Sequence, residues 1–298
     1  MFGMFSDEFF DLGEVRLRAR VSDSSGAEPQ VVVLLHGYPQ SSSAWHAIAP
    51  ALAERYRVIC PDLRGYGESS KPLGSPDHAN YSKRVMADDI LAILDHIGIH
   101  SFAAVGHDRG ARVAHRLALD HPDRVTKLSM IDIAPTVEMY DRMNADIASA
   151  YFHWSFLTQP AGVPENLLRG KEKDWVRGML TAFGQAQFRD FDPDAQRDYE
   201  EAFLDPACLH GTCEDYRASA TIDLRHDREN RVAGKGIECP TQIIWGESGI
   251  LARQFDPEAV WKLYVNGSLE TVVLPAGHFL PEEAPELLLS HLAPFLAS

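Results

Sequence analysis

Positive charge is in short supply in this chain: 28 lysines and arginines stand against 43 aspartates and glutamates, a formal net charge of −15. That imbalance argues against nucleic acid and anionic membrane surfaces as partners. It also makes any anionic small molecule an uphill encounter at long range, so a site for an acid needs arginines of its own. Cysteine is scarce as well. Cys60, Cys208, Cys213 and Cys239 form no C-x-x-C pair and no framework spacing, which reads as free thiols in a reducing cytoplasm. No apolar run approaches the roughly 20 residues of a membrane-spanning helix. The stretch through Glu8 has no basic region and its apolar residues are broken by acids, so no secretory signal is expected. Metal-ligand histidine spacing, internal repeats and low-complexity tracts are missing too. What is present is 45% hydrophobic content over 298 residues, enough to bury a large core as one domain or as a domain with an insertion.

Apolar residues alternate with arginines from Val15 to Val21, as in an antiparallel edge strand. Gln30 to Leu35 is a continuous apolar run of the kind found in a parallel strand covered on both faces, and it ends in His36-Gly37-Tyr38-Pro39. Ser43 is placed to cap a helix that buries Trp45, Ile48, Ala49 and Leu52. A second buried strand, Arg57 to Cys60, closes in Pro61-Asp62-Leu63-Arg64-Gly65-Tyr66-Gly67, and a helix over Val85–Ile97 follows. Strand alternating with helix at this rhythm means a parallel sheet with crossover helices. The rhythm breaks after Pro135. From 136 to 231 the chain shows no strand pattern, many charges and several aromatics, and reads as a helical insertion. Strands resume at Thr241–Gly246 and Leu269–Leu274, with a last helix over Pro285–Leu296. The expected organisation is an α/β core of residues 1–135 and 232–298, with 136–231 as a helical lid over the carboxyl ends of the strands, where open α/β sheets bind ligands.

The stretch with most chemical content is Gly106-His107-Asp108-Arg109-Gly110, set between an apolar strand and a helix. It has the G-x-Nuc-x-G form of a nucleophile elbow, the flanking glycines allowing a sharp strand-to-helix turn. The nucleophile is an aspartate where ester hydrolases carry serine. A carboxylate suits displacement of a leaving group from saturated carbon, forming an ester that water must then cleave.

His36-Gly37-Tyr38-Pro39, Asp62-Leu63-Arg64-Gly65-Tyr66-Gly67, the elbow and Gly277-His278-Phe279 occur in the order and at the spacing of the α/β-hydrolase fold, which the chain resembles over nearly its whole length. Within that fold it is most similar to the haloacetate (fluoroacetate) dehalogenases, which carry arginines like Arg109 and Arg112, a lid His-Trp pair like His153-Trp154 and a lid tyrosine like Tyr216. The resemblance implies a mostly parallel sheet with a helical cap and a homodimer. The implied activity is hydrolysis of a small haloacid without metal or organic cofactor.

In that scheme Asp108 attacks the halogen-bearing carbon, and His278 activates the water that cleaves the ester. The backbone N–H groups of Tyr38 and Arg109 form the oxyanion hole. The acid that orients His278 is expected to be Asp132, which these dehalogenases resemble this chain in having; Asp256 and Glu247 are alternatives, and Asp132 could instead cap a helix. Arg109 and Arg112 lie on one helical face beside the nucleophile and can clamp a substrate carboxylate. A plain basic stripe is the competing reading, since Arg116 continues it, but Arg116 lies about 10 Å along the axis from Arg109. His153, Trp154 and Tyr216 can donate three hydrogen bonds to a departing halide, or can be lid packing alone. The rival activity is an epoxide hydrolase with two lid tyrosines drawn from Tyr140, Tyr151, Tyr199 and Tyr216. A non-catalytic ligand-binding relative is the third reading.

Overall fold

A strand apolar at every position must be covered on both sides, and the run ending at Leu35 lies at the centre of the sheet for that reason. In the computed structural model, which describes residues 2–23, 30–183 and 187–298, the strands are β1 (Phe5–Asp11), β2 (Arg16–Ser22), β3 (Val31–Leu35), β4 (Arg57–Pro61), β5 (Phe102–His107), β6 (Val125–Ile131), β7 (Thr241–Gly246) and β8 (Leu269–Leu274). Their order is β1-β2-β4-β3-β5-β6-β7-β8. The pairs β1–β2 and β2–β4 are antiparallel and all others are parallel.

Alternation along β3 divides the core. Val31, Val33 and Leu35 join one cluster, with Met86, Ile90 and Leu94 of α2 (Lys83–His96) and Ala111, Ala114 and Leu117 of α3 (Arg109–Asp120). Val32 and Leu34 join the other, with Leu52 of α1 (Ala49–Ala53) and Leu288 and Leu292 of the helix Pro285–Ala297. Each buried side chain of this size contributes roughly 1.5–3 kcal/mol, so helices are held on both faces.

Two expectations fail here. The strand of alternating arginines is internal: β1 pairs outside it over its full length, Phe5 opposite Ser22 and Asp11 opposite Arg16. The edge strand β1 was not legible because most of its side chains are not buried, so they follow no apolar period. Arg18 and Arg20 are accordingly buried and paired, Arg18 with Asp7 and Asp62 and Arg20 with Asp198. Nor does Ser43 cap a helix. The turn Ser42–Trp45 is capped by Ser41, while the Ser43 hydroxyl accepts from Arg20 at 2.6 Å.

The described residues between β6 and β7 hold helices α4 (Thr136–Asp141), α5 (Ala145–Ala150), α6 (Phe152–Leu157), α7 (Val163–Leu168), α8 (Glu172–Ala182), α9 (Pro193–Leu204), α10 (Pro206–Ala218) and α11 (Leu224–Val232). A π-helical turn, Ser219–Asp223, joins α10 to α11. No helix among the described residues is long and apolar enough to cross a membrane.

Strand register brings the loops that matter to one edge of the sheet. Leu35 lies opposite Gly106, His107 opposite Ile131, and Ile131 opposite Ile244. The residues that follow these strand ends, Tyr38, Asp108 and Asp132, therefore emerge side by side. Helix α3 reaches that edge by packing unusually close: a β-carbon on Gly110 would lie 2.2 Å from the Leu35 carbonyl oxygen, and one on Gly106 2.5 Å from the Ala111 backbone. Gly110→Ala should lower the thermal midpoint by several degrees, on the order of 1–3 kcal/mol for overpacking. Gly178→Ala, in exposed α8 with nothing within 4 Å of the added methyl, should stabilise by roughly 0.5–1 kcal/mol. Thermal melts of the two variants check this, and shifts of the same sign would contradict so close a seat for α3.

Candidate active site

The elbow is strained at its central residue. Asp108 has φ 47° and ψ −116°, a positive φ that costs a residue with a side chain on the order of 1–3 kcal/mol. Neither Gly106 nor Gly110 adopts a positive φ. Those glycines allow close packing rather than the turn itself, which corrects the role expected of them. Gly37 is needed for the same reason, since a β-carbon there would lie 2.5 Å from that of Asp108.

The strained turn delivers the Asp108 carboxylate to the Tyr38 backbone N–H, which donates to Oδ2 at 2.9 Å. Arg109 is the first residue of α3, so its N–H has no acceptor within the helix. Burial would raise the pKa of Asp108, but His278, Arg109 and His107, together with the Tyr38 N–H, hold it below the ordinary carboxylate value. The group is therefore an anion.

His278 Nδ1 lies 2.6 Å from Asp132 Oδ2, which leaves Nε2 for other work. Asp132 is buried, has φ 51°, and accepts from the Gly246 N–H at 3.2 Å, so it is held at the β6–β7 junction. The alternatives do not reach. Asp256 is exposed and caps Pro257–Trp261 through the Ala259 N–H, and Glu247 is exposed. Asp132 caps no helix, since Pro135 occupies that position for α4. Burial lowers the pKa of His278, but the hydrogen bond and charge of Asp132 and the charge of Asp108 outweigh it and leave the value above that of an ordinary histidine.

Residues that sequence reasoning passed over hold this histidine in place. His107 Nε2 donates to the His278 carbonyl at 2.7 Å, and Glu283 accepts from the N–H groups of Gly277 and Phe279 at 2.7 and 3.0 Å. The His278 N–H donates across to the carbonyl of Phe183, from the inserted helices, at 3.2 Å. His107 carried a signal, its place inside the elbow motif. Glu283 carried none.

The two arginines are not equivalent. The Arg109 guanidinium is fully buried and grips Asp215, Nε to Oδ2 at 2.9 Å and Nη2 to Oδ1 at 2.6 Å, with Nη2 also donating to Ser219 Oγ at 2.6 Å. Arg112 Nη1 donates to the Ala134 carbonyl and Thr136 Oγ1 at 3.1 and 2.9 Å, and Arg112 has no carboxylate partner among the described residues. Burial, and then Arg109, lower the pKa of Arg112. Arg116 turns away to Asp227 at 2.6 Å and belongs to no common face with them.

Aromatic residues of the insertion close the site. The Arg109 guanidinium carbon lies 4.3 Å from the Tyr216 ring centroid, and that of Arg112 lies 4.8 Å from the Trp154 ring. His153 stacks on Tyr38 with centroids 5.8 Å apart and meets Tyr216 edge-on at 5.5 Å. Burial pushes the His153 pKa down to about 3, so its ring is neutral. Trp175 donates its indole N–H to the Tyr38 hydroxyl. Of the other tyrosines weighed, Tyr199 donates to Glu282 at 3.2 Å, and Tyr140 lies against Trp154 at 5.4 Å.

A narrow cavity lies among these groups, lined by Asp108, His278, Asp132, Arg112, His153, Trp154 and Tyr151 with apolar neighbours including Phe183 and Leu251. Arg109 and Tyr216 are not in its wall but lie against Trp154, which is, at 5.8 and 6.0 Å. Buried side-chain atoms in this region without a hydrogen-bond partner among the described residues include Arg109 Nη1, Arg112 Nε, His153 Nδ1 and Tyr216 Oη, with Tyr140 Oη and His107 Nδ1.

Comparison with known proteins agrees with this arrangement. Residues 30–285 match the family described as the alpha/beta hydrolase fold. A fluoroacetate dehalogenase from Burkholderia sp is 40% identical over all of this chain and 95% of its own, and a soluble epoxide hydrolase from Corynebacterium sp. (strain C12) is 29% identical over 89% of this chain and 90% of its own. The crystal structure of an alpha/beta hydrolase from Nostoc sp PCC 7120 superposes with a TM-score of 0.94, at 46% identity and 99% coverage of both chains. The eight-stranded, mostly parallel sheet, the elbow at the end of β5 and these full-length matches place the chain in the α/β-hydrolase family.

Proposed function

We propose that this protein is a hydrolytic dehalogenase of small haloacids, converting a haloacetate and water, fluoroacetate included, to glycolate and halide. The observation that carries the reading is the set of buried, unpartnered donors (Arg109 Nη1, Arg112 Nε, His153 Nδ1 and Tyr216 Oη) gathered round an ionised Asp108. Buried polar groups without partners are costly. A substrate that is a carboxylate at one end and a leaving halide at the other consists of acceptors alone, and it satisfies them. The 40% identity to a fluoroacetate dehalogenase supports the same reading.

The sequence of bonds follows from the groups present. Asp108 attacks the halogen-bearing carbon, the carbon–halogen electron pair leaves with the halide, and an aspartyl ester forms. His278, held by Asp132, takes a proton from water through Nε2, and the resulting hydroxide adds to the ester carbonyl. The oxyanion is received by the N–H groups of Tyr38 and Arg109. Collapse expels the glycolate oxygen, which takes the proton back from His278, and the Asp108 carboxylic acid left behind loses its proton to solvent, restoring the carboxylate. Residues 136–231 act as the lid, supplying His153, Trp154 and Tyr216 as donors to the halide, while Arg109 and Arg112 hold the carboxylate. An epoxide hydrolase is the second reading, favoured by the unpartnered hydroxyls of Tyr140 and Tyr216 and by the soluble epoxide hydrolase relative. An uncharged epoxide would leave Arg112 without a counter-charge.

Halide release from fluoroacetate and chloroacetate, measured against diol formation from an epoxide, separates the two. Replacing the base should stop the reaction midway: His278→Asn is expected to accumulate an adduct on the peptide containing Asp108, seen by mass spectrometry, and Asp108→Asn to release no halide. Halide release by the His278 variant without any adduct would mean that water attacks the carbon directly.

The pKa directions predict different acid limbs for the two steps. Alkylation needs only ionised Asp108, whose pKa is depressed, so kcat/KM should persist to low pH. Ester hydrolysis needs neutral His278, whose pKa is raised, so as pH is lowered kcat should drop before kcat/KM does, and ester should accumulate on that acid side. Coincident limbs in the two profiles would remove His278 from the hydrolytic step.

Fluoride, the poorest leaving group of the halides, draws most on hydrogen bonds in the transition state. Tyr216→Phe or Trp154→Phe should cut defluorination about 10–100-fold, on the order of 1.4–2.7 kcal/mol, and chloroacetate turnover much less. An unchanged ratio of kcat/KM for the two substrates would reduce these residues to lid packing.

A further inference from the structure

Asp215 lies in α10, fully buried, and both of its oxygens are occupied by residues of three other segments. Oδ2 accepts from Arg109 Nε at 2.9 Å and from the Tyr66 hydroxyl at 2.7 Å. Oδ1 accepts from Arg109 Nη2 at 2.6 Å and from Lys83 Nζ, at the start of α2. The neighbouring π-helical turn continues the attachment, Ser219 Oγ accepting from Arg109 Nη2 and Asp223 accepting from the Lys83 backbone N–H at 2.8 Å. A guanidinium is a rigid planar fork, so a carboxylate holding Nε and Nη2 fixes the direction of the third nitrogen. That nitrogen, Nη1, is the one with no partner.

We propose that Asp215 is a positioning residue of the active site, acting through Arg109 so that Nη1 is the single edge offered to the substrate carboxylate. The inference rests on the haloacid reading above. It also divides labour between the arginines. The charge of Arg109 is already matched by Asp215, whereas Arg112 has no carboxylate within reach among the described residues. Arg112 is then the cation that draws the substrate anion in, and Arg109 is the one that aims its α-carbon at Asp108. Misplacement of a reacting atom by about 1 Å can cost 100-fold in rate, so loss of aim and loss of attraction should separate in kinetics. Because Asp215 belongs to α10 while Arg109, Tyr66 and Lys83 belong to the core segments, the aim exists only when the inserted helices are docked.

The test compares Asp215→Asn, Asp215→Glu and Tyr66→Phe with wild type, reading kcat on chloroacetate and the inhibition constant of acetate, which reports anion binding without chemistry. Asp215→Asn is expected to lower kcat at least 10-fold while acetate inhibition changes less than 3-fold. Arg112→Gln should weaken acetate inhibition at least 10-fold, whatever its effect on kcat. In an Arg109→Gln background, Asp215→Asn should cost less than a further 3-fold in kcat. If Asp215→Asn does not fold, Asp215→Glu and Tyr66→Phe are expected to show the same split at 3–10-fold. Unchanged kcat, or kcat and acetate affinity falling together and additively with Arg109→Gln, would overturn the proposal and leave Asp215 a packing contact. A wild type that neither binds acetate nor releases chloride would instead overturn the haloacid reading itself.

Discussion

The constraint on which the rest of the site depends is how closely α3 lies against β3. Gly110 sits where any side chain would meet the Leu35 and His36 carbonyls, and Gly106 faces the backbone of Ala111. Only that approach lets the chain leave β5 and enter α3 within one residue, and the conformational cost falls on Asp108, at φ 47°. The strain is sustained by parallel strands anchored in apolar layers on both faces, a core too well packed to relax around one turn. In exchange the carboxylate stands clear of the sheet, directly over the Tyr38 N–H.

Electrostatics organises what the elbow presents. From Asp132 through His278, Asp108, Arg109 and Asp215 to Lys83, charges of opposite sign follow one another through a buried path. Each group is held in its working state by its neighbours rather than by solvent. Asp108 stays ionised because cations flank it, and His278 becomes a stronger base because anions flank it. Arg112 is compensated less: burial and Arg109 lower its pKa in spite of Asp108 and Asp227. A chain with a net charge of −15 thus keeps one buried cation without a carboxylate bonded to it among the described residues.

The inserted helices complete the site from above. Their aromatic side chains lie against both guanidinium groups, and the Phe183 carbonyl bonds the His278 backbone. The helices between β6 and β7 and the rest of the chain therefore share hydrogen bonds at His278 as well as at Arg109.

The sequence by itself determined the alternation of strands and helices, the elbow and the aspartate at its centre, because local period and motif spacing are properties of the chain alone. It also brought Asp132 and His278 forward as partners, though it left Asp256 and Glu247 open. Register decided between them: β5 and β6 end level, so Asp132 emerges beside Asp108 and accepts from the Gly246 N–H at the end of β7, while Asp256 is occupied with capping a short helix. Tertiary structure alone revealed β1 as the sheet edge, since a largely unburied edge strand has no apolar period to read. It alone separated Arg109 from Arg112, which sequence places on one face as equals. Asp215, 106 residues away along the chain, claims one of them and leaves the other free. Which acid meets which base across such a distance is a matter of packing, and no local pattern encodes it.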